Sequence, residues 1–221
     1  MRYFPINLDV RGRTVVMIGG GETAVRKIES LLEAGAKVIV YDPRPLPLVR
    51  QMAARKKIRW IGRAWRPGDL GKSFLAVAAT DDPGTHRAVR SEARKKGILL
   101  NVVDSPEFCD FVFPAYLKRG EFLVTVSTGG ASPALARKVR EELENIFGPE
   151  YKTLVDLMGK LRETQEKLPR RGELLTELIH SPVLAYIRRR DRGGLDRLLK
   201  LIFGEKISLK SLGVKLEGGG K

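Results

Sequence analysis

Over the first hundred residues, short apolar runs alternate with stretches whose apolar positions recur at helical spacing. Residues 14–19 (TVVMIG) are apolar and β-branched, the pattern of a strand buried on both faces. Ala24, Val25, Ile28, Leu31 and Leu32 then repeat at three- and four-residue intervals until Gly35 stops the run. Residues 37–42 (KVIVYD), 58–62 (IRWIG), 73–80 (SFLAVAAT) and 98–104 (ILLNVVD) read as four further strands. Helical patterns fill residues 46–57 and the stretch from DDPGT to Gly97. Strands alternating with helices require right-handed crossovers and a parallel sheet covered on both sides. The pattern therefore predicts an α/β fold, with a five-stranded doubly wound domain over residues 1–113.

Beyond residue 113 the periodicity changes. Residues 111–128 (FVFPAYLKRGEFLVTVST) hold two extended runs around Gly120, which predicts a hairpin whose first strand Pro114 confines to an edge or bulge. Ser132 is placed to cap a helix that Pro133 opens. Leu135, Val139, Leu143, Ile146 and Phe147 form one apolar stripe on that helix, opposite a charged face, and Gly148–Pro149 ends it. The stripe suits packing against a neighbouring element or a second subunit, so residues 114–148 form a separate segment. Residues 149–221 read as a helical region broken near LPRRG and RGG, with a disordered EGGGK tail.

Composition adds bounds. The 221 residues include one cysteine, Cys109, and two histidines, which argues against a disulfide framework and a structural zinc site and makes a reducing cytoplasm the expectation. No apolar run is long enough for a membrane span, and MRYFPINLDVRGR lacks the apolar core of a signal peptide. The formal net charge is +15 and is spread along the chain. It fits either a partner rich in negative charge or a solvated, Lys/Arg/Glu-rich surface.

The stretch VVMIGGGETAVRK, residues 15–27, carries the most specific chemistry. Gly19, Gly21 and Ala24 fit G-x-G-x-x-A between a strand and a helix. The first glycine permits the turn, the second leaves room for a pyrophosphate, and the small third residue lets helix and strand pack closely. The helix N-terminus then offers amides and a positive dipole end to phosphate. Asp42 ends the second strand where a carboxylate accepts both ribose hydroxyls of NAD and repels a 2′-phosphate. Arg44 pulls towards NADP, and Asp42 also reads as a turn residue before Pro43.

In such a sheet, ligands collect outside the carboxyl ends of the strands. Three polar stretches should converge there: the glycine loop, Thr80 with Asp81 and Asp82, and residues 101–111 (NVVDSPEFCDF). Asp104, expected as the last residue of the fifth strand, reads either as a general base beside the nicotinamide or as a cap of the following turn. Asp81 and Asp82 suit helix capping and His86 a structural role. Asp110 and Glu107 are further pocket candidates. Ser127, Thr128, Gly129 and Gly130 precede a helix N-terminus, so they form either an anion-binding loop or a plain connector.

Taken together, the glycine loop with AATDDP, NVVDSPEFCDFVFPA and VTVSTGGASPALARKVRE resembles the N-terminal module of siroheme synthases, the precorrin-2 dehydrogenase and, in some members, sirohydrochlorin ferrochelatase. The resemblance is strong over roughly residues 1–150. It implies a Rossmann domain, a homodimer built through the segment after it, and NAD-dependent oxidation of precorrin-2 to sirohydrochlorin, with ferrous ion as a further substrate in chelating members. It carries the catalytic acid/base role onto Asp104. NAD contacts fall on Gly19, Gly20, Gly21, Glu22, Thr23, Ala24, Asp42, Pro43, Arg44 and Thr80, and substrate carboxylates on residues 127–130. Neither nucleic acid, membrane nor a resident metal is implied, and no counterpart is expected of the methyltransferase domain found in fused members. A competing reading is an NAD-binding regulator whose basic helical tail, with IRRRDRGG, contacts nucleic acid; it predicts binding that weakens steeply with salt.

Overall fold

The computed structural model describes residues 2–164 and 170–216; the expected disordered tail, residues 217–221, and part of the expected break at LPRRG lie outside the described residues. The chain divides into two compact units, Met1–Phe113 and Pro114–Lys221. Among the described residues, no helix is long and apolar enough to cross a membrane.

In the first unit, strands β1 (Thr14–Ile18), β2 (Lys37–Tyr41), β3 (Arg59–Ile61), β4 (Leu75–Ala78) and β5 (Leu99–Val102) form one parallel sheet in the order β3-β2-β1-β4-β5. Alternating residues supply two cores. Val15, Met17, Val38, Val40 and Val77 pack with Ala24, Ile28 and Leu31 of helix α1 (Glu22–Glu33) and with Val49 and Met52 of α2 (Pro47–Ala54). Val16, Ile18, Ala76, Ala78, Leu100 and Val102 pack with Val89 and Ala93 of α3 (Pro83–Lys96), and with Trp65 and Leu70. Each fully buried Val, Leu, Ile or Met contributes on the order of 1.5–3 kcal/mol, so the all-apolar run of β1 is what fixes it at the centre of the sheet. The order of strands reverses between β1 and β4, and a doubly wound sheet binds ligands at that point.

Every strand is one to four residues shorter than its apolar run. For β5 the difference has a functional consequence. Val103 N still donates to Ala78 O at 2.8 Å, but the chain then turns, Ser105 N donating to Val102 O at 3.4 Å. Asp104 is therefore a turn residue beyond the sheet, not the last residue of the strand.

In the second unit, β6 (Ala115–Arg119) and β7 (Phe122–Val126) form an antiparallel hairpin through Gly120, whose φ is 63°. Ser132 caps α4 (Pro133–Ile146), accepting from Leu135 N at 3.2 Å. The α4 stripe is only partly covered: Ala136 is the one buried residue of the helix, and Leu135 and Ile146 are 53% and 56% exposed. Phe122, Phe147 and Tyr151 stack on one another with centroids 5.0–5.3 Å apart, joining the hairpin to α5 (Glu150–Thr164). Helices α5, α6 (Arg171–His180), α7 (Val183–Arg189), α8 (Arg192–Phe203) and α9 (Leu209–Leu212) enclose a core that includes Leu157, Leu161, Leu178, Val183, Leu195 and Leu199. The expected break near RGG is present at Arg190–Asp191, between α7 and α8. Gly193 and Gly194 lie inside the first turn of α8, where Asp191 caps Gly194 N at 2.8 Å. A Cβ on Gly194 would come within 2.5 Å of the Tyr186 ring, so this glycine lets α7 and α8 approach rather than ending a helix.

Candidate dinucleotide and acid–base site

The glycine loop leaves the sheet at the switch point. Gly19 has φ 102°, and a Cβ there would lie 2.1 Å from Ala79 O, so the turn is closed to any side chain by the end of β4. A Cβ on Gly20 would meet Pro45 Cβ at 2.5 Å. Gly21 differs: its φ is −78° and a Cβ would meet nothing within 4 Å. The protein leaves that side open, as a loop that admits a ligand must. Gly21 is also the N-cap of α1, with no side chain capping the helix. By contrast, Asp82 caps α3 through Gly84 N at 3.0 Å and Thr85 N at 2.9 Å. Uncapped amides facing open space fit a pyrophosphate, so the loop fits a nicotinamide dinucleotide. Ala24 is fully buried against the sheet, Thr23 is half-buried with its hydroxyl accepting from Arg26, and Glu22 is exposed.

Asp42 lies beside the loop and already has work within the protein. Gly20 N donates to its Oδ2 at 2.7 Å and Arg44 N to its Oδ1 at 2.6 Å. The carboxylate thus tethers the glycine loop to the end of β2 while each oxygen keeps a lone pair for a ribose hydroxyl. Trp60 Nε1 donates to Asp42 O at 2.9 Å and fixes this corner from β3. Pro43 and Arg44 are exposed beside it. Across the crevice, Thr80 O is held by the ring of the buried His86, with Nε2 at 2.6 Å.

The loop after β5 is organised by Cys109. Its thiol donates towards Val102 O at 3.1 Å and Ser105 O at 3.4 Å, and its sulfur accepts from Val102 N at 3.2 Å. Burial pushes this thiol up from its ordinary range. The bonds bracket Asp104, which is exposed and has φ 58°. Aspartate tolerates this left-handed geometry better than most residues, and such outliers gather at functional positions. No hydrogen bond or ion pair among the described residues engages the Asp104 carboxylate, so the protein itself does not desolvate or cap with it. Asp110 accepts from Leu100 N at 3.0 Å and pairs with Arg90 at 2.6 Å, a structural tie between β5 and α3, and Glu107 is exposed. Asn101 donates to Phe111 O at 3.0 Å, and its buried Oδ1 has no partner.

One further group was not singled out from the sequence. Lys27 of α1 is half-buried, with its ammonium 3.9 Å from the centroid of the Phe113 ring. Burial lowers its pKa to about 8, against the raising effects of the Cys109 thiol and the Asp104 carboxylate. The signal was present: Lys27 stands three residues after Ala24 and four before Leu31, a charged residue at a position of the buried stripe.

Ser127, Thr128, Gly129 and Gly130 belong to the second unit. Gly129 N donates to Ser127 Oγ at 3.2 Å and Ser132 N to Thr128 Oγ1 at 3.0 Å, while both glycines have positive φ. The hydroxyl oxygens therefore shape the loop, and the hydroxyl protons remain to be given elsewhere.

Comparison with known proteins fits this geometry. A family model described as NAD(P)-binding matches residues 6–115, and one described as "Sirohaem biosynthesis protein central" matches residues 124–146. The chain is similar to proteins of sirohaem biosynthesis. It is 37% identical to "Siroheme synthase 1" of Serratia proteamaculans over 174 residues, covering 78% of this chain and 37% of that one. It is 44% identical to "Siroheme synthase" of Methylococcus capsulatus over 163 residues, 74% of this chain and 34% of that one. The chain thus spans about a third of the length of these curated relatives. The solved structure of "SirC, precorrin-2 dehydrogenase" superposes with a TM-score of 0.73 at 27% identity, covering 90% of this chain and 98% of that one. The match to the NAD(P)-binding model spans the glycine loop, Asp42 and the turn at Asp104.

Proposed function

We propose that the protein oxidises precorrin-2 to sirohydrochlorin with NAD. The observation that carries this reading is the likeness to the precorrin-2 dehydrogenase SirC over almost the whole of that chain, joined to an uncapped, open glycine loop at the sheet's switch point. The bound nicotinamide supplies the hydride acceptor. The chain's own residues do the rest. Gly21, Glu22 and Thr23 present backbone amides to the pyrophosphate, with Gly20 held in place by Asp42, and Asp42 accepts the ribose hydroxyls and disfavours a 2′-phosphate. Asp104, whose carboxylate has no hydrogen bond or ion pair among the described residues, accepts the proton released as the macrocycle is oxidised. Ser127, Thr128, Gly129 and Gly130 give hydroxyl and amide hydrogens to substrate carboxylates. The +15 charge favours a polycarboxylate substrate. The uncovered α4 stripe supports a homodimer, and the reading places the protein in the cytoplasm. The same carboxylate can take pyrrole N–H protons, so ferrous insertion into sirohydrochlorin belongs to this reading as a second activity.

The deciding experiment is an absorbance assay of precorrin-2 oxidation with NAD and with NADP. Turnover with NAD should exceed that with NADP, and Asp104→Ala should lower kcat by a factor of about 100 or more while NADH affinity stays within about twofold. Normal turnover by Asp104→Ala would remove this residue from the chemistry.

A further inference from the structure

Three half-buried basic side chains lie in the first unit: Lys27, Arg63 and Arg90. Arg63 pairs with Asp69 and Arg90 with Asp110, both at 2.6 Å. Lys27 has no carboxylate at ion-pairing distance among the described residues; its ammonium rests on the face of Phe113, which itself packs against Phe111 with centroids 5.4 Å apart. A ring face replaces only part of the hydration that a half-buried ammonium loses. Burial outweighs the pull of Cys109 and, more weakly, of Asp104 towards the charged form, and Arg26 adds to its effect. Lys27 lies one helical turn after Thr23 in α1, and its electrostatic neighbour Asp104 stands in the turn after β5. A cation kept partly dehydrated on a ring face, with no carboxylate at ion-pairing distance among the described residues, is placed to receive one.

We propose that Lys27 is a substrate-positioning residue, its ammonium binding a carboxylate of the polycarboxylate macrocycle beside Asp104. This rests on the reading of the protein as a precorrin-2 dehydrogenase. Its role is in binding rather than in proton transfer. A carboxylate that reaches the ammonium supplies the missing counter-ion, and the Phe113 ring keeps the lysine stem from folding back into water.

The test uses the full chain with Lys27→Met, which keeps the apolar stem, Lys27→Arg, which keeps the charge, and Lys57→Met as an exposed-charge control. Lys27→Met should raise KM for precorrin-2 about tenfold or more, with kcat within about twofold and NADH affinity unchanged. Lys27→Arg and Lys57→Met should stay close to the parent. In the parent, KM should rise as pH passes about 8, where free Lys27 loses its proton. That rise should vanish in Lys27→Met and move to higher pH in Lys27→Arg. Binding of uroporphyrin, a polycarboxylate porphyrin, followed by absorbance without cofactor, should weaken in parallel in Lys27→Met. A fall in kcat at unchanged KM would overturn the proposal, as would equal uroporphyrin binding by parent and Lys27→Met. Should the parent fail to oxidise precorrin-2 yet bind uroporphyrin through Lys27, the dehydrogenase reading fails and the anion site stands. Should the parent bind no such macrocycle, the proposal falls.

Discussion

At the scale of single residues, the three glycines of the loop divide their labour, and the division can be measured. A Cβ on Gly20 would overlap Pro45, whereas one on Gly21 would enter open space. Gly20→Ala should therefore destabilise the fold by roughly 1–3 kcal/mol, because the loop and Pro45 must move apart. Gly21→Ala should change stability by less than about 1 kcal/mol and yet weaken NADH binding tenfold or more, since the methyl occupies ligand space. Thermal melts with NADH fluorescence titrations separate the two. This contrast was half legible in the chain: G-x-G-x-x-A states that bare backbone is needed, but not which glycine faces protein and which faces ligand. The tether between Asp42 and Gly20 was not legible, because that bond joins residues 22 apart in the chain. Lys27 escaped for a similar reason: helical spacing marks it as misplaced, and only Phe113, at the far end of the unit's sequence, shows where its charge goes.

At the scale of elements, the connector between β3 and β4 depends on one carboxylate. Asp69 accepts from Arg63 through both oxygens, at 2.6 and 2.9 Å, and from Arg66 N at 2.7 Å. The Arg63 guanidinium, with help from the Arg66 amide, holds the Asp69 carboxyl below its usual range. A depressed carboxylate adds stability above its unfolded pKa of about 4, and that stability is lost as pH falls through the lower folded value. Asp69→Asn should lower Tm by roughly a few degrees at pH 7, since the pair is partly exposed, and the gap from the parent should narrow below about pH 4. Thermal melts from pH 7 to pH 3 measure it. The elements themselves were largely readable, because β1 and β4 are buried on both faces and read as near-continuous apolar runs. Their ends were not. An apolar run continues past Val102 through Val103, but the hydrogen-bond ladder stops with β4, and so Asp104 falls in a turn. The break read near the glycines at 193 and 194 falls just before them, at Arg190–Asp191, and Gly194 itself serves close packing of α8 on Tyr186.

At the scale of the whole molecule, each unit has a core of its own, and the second leaves apolar surface uncovered: Leu135 and Ile146 on α4, and Tyr116 and Leu123 on the hairpin. Burying such a patch against a second copy is the proposed use of it. The double variant Leu135→Glu/Ile146→Glu should convert a dimer into a monomer by light scattering while keeping the far-UV circular dichroism of the parent; a monomeric parent would end that proposal. The sequence by itself determined the alternation of strand and helix, the place of the glycine loop, the N-cap at Ser132 and the presence of an apolar stripe on α4. All of these are set by interactions within a few residues, where propensity, periodicity and backbone freedom act. Tertiary packing set the order of the five strands, the tether between Asp42 and Gly20, the left-handed turn at Asp104 and the seat of Lys27 on the Phe113 ring. Those depend on which distant groups the folded sheet brings within a few ångströms, and hydrogen bonds and desolvation act only at that range.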